Sequence, residues 1–394
     1  MINFAARFAA VCLLFAFSTA AAVPAPVAQG ARQVPLSQQR AIEAAARKEL
    51  RSFGGRTPIP GVFIALYMPG YAPYVKSVGY ANVPAKAPFK LSDKFRIGSN
   101  TKTFVVTILL QLQDEHKLTV DDPISKFNIG VKVPNGNHIT IRQLAQMRSG
   151  LFEAYNTPQF NALKIGPQTK VAPQTLVSWA TMHKPLFAPG TKWNYSNTNY
   201  VILGLIIEAV THDTLGNQLR KRLLQPMGLS DTTLPATVAM PAPYANGYGL
   251  TPKGAWEDVT TEIPPALTWA AGAMISTVPD MKRWVKSYVT GTMNSKASQR
   301  DRFDFLPTGL GKGLDFGMGI GRNNGWYGYT GGLPGYNTAA YYMPAKDITL
   351  IAFVNAQREQ PFPGAANSII RDITRIITPN NVYFGGVPEK VMQY

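Results

Sequence analysis

A serine and a lysine stand three residues apart directly before a long apolar run, and this arrangement limits how the chain can fold. Ser99 and Lys102 would lie one turn apart on one face of a helix that begins near Ser99. Residues 105–112 are apolar almost all round, as in a helix that is buried on every side. The sequence therefore predicts that this helix runs through the protein interior and takes Lys102 with it.

A buried lysine beside a serine has a chemical consequence. Loss of hydration disfavours the ammonium form, so burial lowers the pKa of Lys102 and lets it accept a proton from Ser99. The start of the helix also presents backbone N–H groups that suit a developing oxyanion. The pattern predicts a serine nucleophile activated without histidine. A chance match is the alternative, although this is the only Ser-x-x-Lys in the chain.

The N-terminal residues have the pattern of an export signal. Residues 1–22 contain one basic residue, Arg7, an apolar stretch too short to span a bilayer, and a small-residue cleavage site. An uncleaved anchor is the alternative. Cleavage would remove the only cysteine, Cys12, and leave no disulfide, no thiol and no stable transmembrane anchor. We therefore predict a periplasmic or secreted protein, with residues 23–36 as a linker.

The charge balance indicates what the surface can contact. The formal net charge is +17, and it stays at about +16 without Arg7. This charge favours contact with an anionic cell-envelope surface. Nucleic acid is a weaker candidate, because the chain has an export pattern and no recognisable nucleic-acid motif. A generally solvated basic surface is the simplest alternative, since Lys and Arg are spread along the chain.

The predicted elements change in character along the chain. Strand patterns occur near both ends, and helical patterns dominate the middle. This distribution predicts an α+β fold, with an antiparallel sheet flanked by helices and an inserted, mostly helical region at roughly 105–265 in a domain spanning 37–394. The predicted elements outside that region are a helix at 37–53, strands at 62–68, 74–80, 336–343 and 348–354, and helices at 280–289 and 365–377.

A loop directly before a second apolar helix carries further polar candidates. A Pro-Gly turn at 189–190 leads to Tyr195 and Asn197. A tyrosine near a lysine ammonium can have its pKa lowered and act as a base. Asn197 can donate to a substrate carbonyl and hold Lys102 in place. The alternative is that the loop only caps the helix that follows.

A glycine-rich stretch in the last third of the chain predicts a substrate-binding strand. Four glycines surround Thr330 in residues 328–336 and permit close backbone approach. Such an edge can hold an extended substrate, and the Gly332 N–H can be a second oxyanion donor. A turn between strands is the alternative. Slightly earlier, Arg322 could bind a carboxylate in a fork, or be an ordinary exposed arginine.

These motifs, in this order, resemble those of serine β-lactamases and penicillin-binding proteins. The likeness is to the branch that contains class C β-lactamases, D-alanyl-D-alanine carboxypeptidases and β-lactamase-like esterases, and it runs from about Gly61 to Asn355. It implies a β-lactamase/DD-peptidase-like fold. It also implies hydrolysis through an acyl-enzyme, with no cofactor or metal, of a small peptide, a β-lactam or an ester.

The resemblance also implies a role for each matching residue. Ser99 would be the nucleophile, Lys102 its proton partner, Tyr195 the general base, Asn197 a substrate amide contact and Thr330 a substrate hydrogen bond, with the Ser99 and Gly332 N–H groups as the oxyanion hole. Two positions depart from the pattern. Tyr329 stands where relatives have Lys or His, and it brings no positive charge near neutral pH unless Arg322 replaces it. Arg148 replaces a threonine, for a reason that the sequence does not give.

The combined evidence predicts an exported serine hydrolase of the D-alanyl-D-alanine carboxypeptidase-like peptidase or amidase type. The alternatives are a β-lactamase-like carboxylesterase, a weak class C-type β-lactamase, and a non-catalytic penicillin-recognising binding protein. Loss of the cation at Tyr329 weakens the β-lactamase alternative. The four histidines lie outside the motifs, so a Ser-His-Asp triad has little support.

Overall fold

A computed structural model describes residues 30–54, 57–356 and 364–384. The predicted signal peptide, with Cys12, and the first half of the predicted linker, residues 23–29, lie outside these ranges. The strands are β1 (Gly61–Tyr67), β2 (Tyr74–Gly79), β3 (Phe95–Arg96), β4 (Tyr248–Leu250), β5 (Trp256–Asp258), β6 (Ile275–Ser276), β7 (Leu306–Pro307), β8 (Asp315–Gly317), β9 (Ile320–Asn323), β10 (Trp326–Leu333), β11 (Tyr336–Met343) and β12 (Ile348–Val354).

The helices occupy both ends and most of the middle of the described chain. They are α1 (Leu36–Gly54), α2 (Thr101–Asp114), α3 (Ile141–Ala145), α4 (Pro158–Asn161), α5 (Pro173–Thr181), α6 (Thr198–Thr211), α7 (Leu215–Leu219), α8 (Pro265–Gly272), α9 (Val278–Thr290), α10 (Lys296–Arg302) and α11 (Ala365–Ile377). None of these helices is both long enough and apolar enough to cross a membrane.

One antiparallel sheet joins the two ends of the described chain. Its strand order is β2-β1-β12-β11-β10-β9-β8-β7. β1 pairs with β12, so an early strand and the last strand are neighbours within the sheet. The helices α2 to α8 come between β3 and β6 in sequence, as an inserted and mostly helical region. The predicted α+β fold is therefore confirmed.

Each face of the sheet packs against its own hydrophobic core. Phe63 and Ala65 of β1 belong to the core shared with α2, α6 and α9, which we call the α2 core. Val62, Ile64 and Leu66 belong to the core shared with α1 and α11, the α11 core. Alternate side chains of a strand point to opposite faces, so a strand covered on both sides is apolar throughout. This explains the unbroken apolar run in β1.

Helix α2 runs through the α2 core, as its sequence predicts. Every residue from Thr101 to Leu110 is buried. The Phe104 ring stacks on Trp284 of α9 with centroids 3.8 Å apart, and the Trp284 indole N–H donates to Thr103 Oγ1 at 2.7 Å. These contacts fix the helix rigidly against its neighbours. Lys102 is thereby held in the interior, where a lysine is otherwise rare.

The described end of the predicted linker is packed rather than free. The Arg32 N–H donates to Gly70 O at 3.0 Å, and the Ala72 N–H donates to Arg32 O at 2.8 Å. Val34 is buried in the α11 core. The turn between β1 and β2 thus binds this segment through its main chain, so residues 30–35 are part of the domain. The linker prediction for 23–29 remains a prediction.

Candidate active site

A tight turn places Ser99 at the start of α2 and against strand β10. Gly98 has a φ of +52°, a conformation that favours glycine. A Cβ at Gly98 would also lie only 2.7 Å from the Gly332 nitrogen. The turn Gly98–Asn100 is a short 3₁₀ helix that continues into α2. Ser99 therefore sits at the beginning of a helix, with the main chain of β10 beside it.

Lys102 is fully buried and makes three hydrogen bonds. Its Nζ lies 2.8 Å from Ser99 Oγ, 2.8 Å from Asn197 Oδ1 and 2.6 Å from Ala271 O. Burial lowers the pKa of Lys102 to about 7, which confirms the direction expected from the sequence. A neutral amine has two N–H bonds and one lone pair. Two carbonyl oxygens use the N–H bonds, so the lone pair is left for the Ser99 hydroxyl.

Tyr195 reaches the same serine from the loop before α6. Its hydroxyl lies 2.8 Å from Ser99 Oγ. Although 36% of the residue's surface is exposed, loss of hydration raises the pKa of Tyr195 above its usual value, with the Ser99 hydrogen bond opposing the shift. The expectation of a lowered tyrosine pKa is therefore wrong. A phenol that keeps its proton is better suited to donate to a leaving group than to act as the resting base.

Glu153 organises the loop, and sequence reasoning missed it. Its Oε2 accepts a very short hydrogen bond from the Asn197 backbone N–H and a longer one, at 3.3 Å, from Asn197 Nδ2. Its Oε1 accepts from the Tyr155 N–H at 3.1 Å. Burial raises the pKa of the Glu153 carboxyl. The available signal was an acidic residue directly after the apolar pair Leu151-Phe152 and at the start of a short helix.

The contacts of Arg148 explain why an arginine stands where the family pattern has a threonine. Its guanidinium donates to Gly190 O from Nη2 at 3.1 Å and from Nε at 3.3 Å. The Gly190 N–H in turn donates to Arg148 O at 2.8 Å. These bonds hold the Pro-Gly turn that precedes Tyr195. A long side chain with several donors is what this contact needs, so the arginine has a structural role in the Tyr195 loop.

The glycines of β10 permit the close approach that their pattern predicts. A Cβ at Gly331 would lie 2.0 Å from Ile97 O, which no side chain allows. Gly332 and Ser99 line the same cavity. The oxyanion role of their N–H groups remains a prediction, and the placement of the two residues is compatible with it.

The side chains of two sequence-predicted substrate contacts have partners within the protein. The Thr330 hydroxyl donates to Thr338 O at 2.8 Å and accepts from Asn367 Nδ2 at 2.9 Å, and the residue also lines the cavity at Ser99. The Arg322 guanidinium is paired with Asp315 and lies 4.4 Å from the centroid of the Phe305 ring. Arg322 does not line the cavity at Ser99. The substrate contact of Thr330 therefore remains a prediction, whereas Arg322 is bonded to its own neighbours outside this cavity.

Tyr329 does point into the site. It is only 4% exposed, and its ring packs edge-on against Phe316 at 5.7 Å. Its hydroxyl is near enough to that of Tyr195 for the two phenols to influence each other's pKa, yet no hydrogen bond of normal geometry joins them. Within the described residues this hydroxyl has no hydrogen-bond partner. An unpaired buried donor is costly, so a ligand or water is expected to use it.

A cavity of about 780 Å³ opens in front of these groups. Ser99, Tyr195, Asn197, Tyr329 and Gly332 form its floor. Its walls are mainly apolar and include Phe160, Ile165, Trp193, Leu267, Leu310 and Leu333. Among the described residues, no Asp, Glu, Lys or Arg lines it. No group of three or more His, Asp, Glu or Cys side chains in the described ranges could hold a metal ion.

Replacement of Glu153 by glutamine is expected to lower kcat/KM by about 10- to 100-fold. The amide has one acceptor oxygen where the carboxylate has two, so the hold on Asn197 is weakened. Loss of the negative charge also lowers the pKa of Lys102 further, which moves the acidic limb of the pH–rate profile to lower pH. Glu257→Gln, at an exposed position on β5, is the control. An unchanged acidic limb would contradict the coupling of Glu153 to Lys102.

Comparisons with known proteins agree with this arrangement. The Beta-lactamase family model matches residues 46–375. The relative named "Putative penicillin-binding protein PbpX" of Bacillus subtilis (strain 168) is 25% identical over 295 residues. These residues are 75% of this chain and 70% of that protein. The crystal structure of a D-stereospecific amidohydrolase from Streptomyces sp. has 28% identity and a TM-score of 0.74, and the match covers 86% of this chain and 99% of that one.

A third relative agrees in fold. The D-amino acid amidase from Ochrobactrum anthropi SV3, solved in complex with L-phenylalanine amide, is 24% identical with a TM-score of 0.74. The match covers 86% of this chain and 97% of that one. The family model covers most of the chain, and solved structures match nearly the whole described fold. The chain belongs to the β-lactamase family.

Proposed function

We propose that this protein is a serine amidohydrolase that cleaves uncharged amides, and the more reactive esters of the same acids, through an acyl-enzyme. The observation that supports this proposal most is the chain of 2.8 Å contacts from Lys102 to Ser99 to Tyr195, in a cavity that no charged side chain of the described residues lines. Such a chain can activate a serine and protonate a leaving group.

Acylation begins with proton transfer from Ser99 to Lys102. The Ser99 Oγ forms a bond to the substrate carbonyl carbon, and its proton moves to the neutral Lys102 amine. The electron pair of the carbonyl double bond moves to oxygen, where the N–H groups of Ser99 and Gly332 stabilise the charge. Because both donors belong to the main chain, they are fixed before the reaction starts.

Collapse of the tetrahedral intermediate breaks the bond to the leaving nitrogen or oxygen. Tyr195 gives that atom its proton, and the Tyr195 oxygen then takes the proton held by Lys102, so that the amine is neutral again before water attacks. Water then attacks the acyl-enzyme with the same groups in reversed roles and releases the acid and free Ser99. The raised pKa of Tyr195 suits the donor role, since the phenol is protonated at neutral pH.

The lining of the cavity favours the amidase type over the carboxypeptidase type. A substrate that ends in a free carboxylate needs a cation or several donors to replace its hydration. Relatives have Lys or His where this chain has Tyr329, and Arg322 is engaged with Asp315. The likeness to the Streptomyces D-stereospecific amidohydrolase supports the same choice and suggests D-configured substrates. The apolar walls of the cavity favour a substrate with a hydrophobic side chain.

The proposal includes a location. The export pattern of residues 1–22 and the net charge of +17 support action outside the cytoplasm, near anionic envelope polymers. Fractionation of cells that produce the full chain, followed by activity assays of each fraction, tests this part.

The amidase proposal is tested by comparing N-acetyl-D-phenylalanine amide with N-acetyl-D-phenylalanyl-D-alanine. We expect a higher kcat/KM for the neutral amide. Tyr329→Lys introduces a cation and should raise the relative kcat/KM for the carboxylate substrate by about tenfold, the value of a charge-assisted hydrogen bond. Tyr329→Phe is the matched control, since it keeps the ring without adding charge.

Two results would count against the proposal. The first is a wild-type preference for the peptide with the free carboxylate. The second is an unchanged ratio in Tyr329→Lys, which would mean that position 329 does not face the part of the substrate that differs between the two compounds. The L-configured amide, measured in parallel, tests the stereochemical part.

A further inference from the structure

A second, smaller chamber of about 110 Å³ adjoins the main cavity. The two share the walls formed by Trp193, Tyr195, Leu310, Tyr329 and Thr330. Ser99, Asn197 and Gly332 line only the main cavity. The small chamber therefore lies beyond the two phenols as seen from the nucleophile, and nothing in the mechanism above uses it.

Within the described ranges, the far side of this chamber presents no unpaired charge and few polar groups that lack a partner. Leu314, Phe316 and Phe384 supply apolar surface. Asp315 is paired with Arg322. The Thr308 hydroxyl donates to Leu314 O at 2.8 Å.

The polar side chains from β11, α11 and the segment after α11 are likewise bonded among themselves. The Tyr341 hydroxyl donates to Asn367 Oδ1 at 3.2 Å, and the Tyr383 hydroxyl donates to that of Tyr341. These groups are therefore not available to bind a charged ligand, and an occupant must gain its affinity from burial of apolar surface.

The shared wall differs from the far side. Tyr329 carries a buried hydroxyl, and Trp193 a buried indole N–H, and neither has a hydrogen-bond partner within the described residues. Both groups can donate. Donors without a nearby cation suit an uncharged acceptor, such as the oxygen of an ester or amide. A carboxylate would lose more hydration than two neutral donors restore.

The position of Tyr195 indicates which part of a substrate enters the chamber. The atom that leaves must lie within hydrogen-bond reach of the group that protonates it. The acyl carbon lies at Ser99, and Tyr195 stands between Ser99 and the chamber. The part of the substrate beyond the leaving atom is thus directed to the small chamber, while the acyl side chain remains in the main cavity.

We propose that the small chamber behind Tyr195 and Tyr329 binds an uncharged, apolar leaving group, so that the enzyme prefers esters and amides of hydrophobic alcohols and amines. This inference rests on the proposed acyl-enzyme function. An engineered apolar cavity of about 150 Å³ holds benzene, so a chamber of 110 Å³ accepts a group of roughly four to six carbons. Larger groups should not fit without displacing the wall.

A series of alkyl esters of N-acetyl-D-phenylalanine tests the inference. The alcohol is methanol, ethanol, butanol or octanol, and a 3-carboxypropyl ester adds a charge at about the length of butyl. We expect kcat/KM to rise about tenfold from methyl to butyl, to rise no further at octyl, and to fall for the carboxypropyl ester. Each ester contains the same acyl group, so the acyl side of the site is held constant.

Two variants change the chamber in opposite directions. Leu314→Trp fills it and should bring the butyl-to-methyl ratio close to one. Phe316→Ala enlarges it and should move the preference towards octyl, which provides a second measurement if Leu314→Trp does not fold. Ile165→Trp is the matched control, because Ile165 lines only the main cavity and its substitution should preserve the butyl-to-methyl ratio.

A direct binding measurement separates failure of the inference from failure of the proposed function. Binding of 4-fluorobenzyl alcohol, followed by ¹⁹F NMR, should be at least fivefold weaker in Leu314→Trp and unchanged in Ile165→Trp. If the esters are hydrolysed at rates that do not depend on the alcohol, the chamber inference is overturned and the hydrolase stands. If no ester or amide is hydrolysed, the proposed function fails. Equal binding of the alcohol to all variants would refute the inference that the chamber binds the leaving group.

Discussion

Replacement of Ser99 by alanine is expected to lower kcat for an uncharged amide or ester by about four to six orders of magnitude. The variant keeps Lys102, Tyr195 and the cavity but lacks the oxygen that forms the acyl-enzyme. A water molecule in the place of the Ser99 hydroxyl could attack the substrate, but no covalent bond to the protein would hold it in position. Covalent labelling by an alkyl fluorophosphonate, measured as a gain in intact mass, should disappear with the activity.

The control for this experiment is Ser125→Ala, at an exposed position that does not line the cavity. It should be labelled and active like the wild type. Thermal unfolding of both variants checks that the fold is intact. If Ser99→Ala still gains the mass of the label, another residue is the nucleophile, and the assignment of the whole network is wrong.

The sequence predicted secondary structure best for segments in which nearly every residue is buried. The apolar run after Ser99 could only be a buried helix, and the structure has α2 inside the α2 core. The β1 run is apolar throughout because both faces of its strand are covered, and it too was predicted as a strand. Local patterns of this kind depend on neighbouring residues alone, so they could be recognised without knowledge of the fold.

The less predictable features depend on contacts between distant parts of the chain. Glu153 and Asn197 are 44 positions apart, and Lys102 and Ala271 are 169 apart. No local pattern indicates which donor meets which acceptor at such separations. The position of Arg322 outside the cavity could not be predicted for this reason, since the sequence did not reveal that Asp315 binds its guanidinium.

The pKa of Tyr195 depends on two opposing effects, a nearby positive charge and loss of hydration. Proximity to a lysine ammonium would lower the tyrosine pKa, and that effect was assumed from the sequence. In the structure, burial of Lys102 lowers its pKa to about 7, so much of the charge is absent at neutral pH. Loss of hydration at Tyr195 then dominates and raises its pKa. Loss of hydration is the main cause of both pKa shifts.

A buried catalytic lysine lowers the stability of the folded protein. The variant Lys102→Met should reveal both its role in catalysis and this destabilisation. We expect kcat/KM to fall by about three to four orders of magnitude, because the Tyr195 phenol beside Ser99 keeps its own proton at neutral pH and is a poor acceptor for that of Ser99. In the wild type, kcat/KM should fall about tenfold per pH unit below pH 7, where Lys102 is an ammonium and its lone pair is no longer available. The residual activity of the variant should lack this limb.

The effect of Lys102 on stability has a defined sign. Its pKa is about 7 in the folded protein, whereas a lysine in an unfolded chain titrates near 10.4. Between these pH values the unfolded chain binds one proton more, so the free energy of unfolding of the wild type rises with pH across this window. The methionine side chain of the variant does not titrate. The variant's stability relative to the wild type should therefore fall by about 2–3 kcal/mol from pH 6 to pH 9.

Urea unfolding at the two pH values measures this difference directly. The absolute change at one pH also contains the lost hydrogen bonds to Asn197 and Ala271, but these contributions cancel in the comparison between pH values. Lys296→Met, at an exposed position on α10, tests whether loss of any lysine gives the same trend. A relative stability that is constant from pH 6 to pH 9 would show that Lys102 stays charged in the folded protein. The proton of Ser99 would then need another acceptor, and Tyr195 would be the remaining candidate.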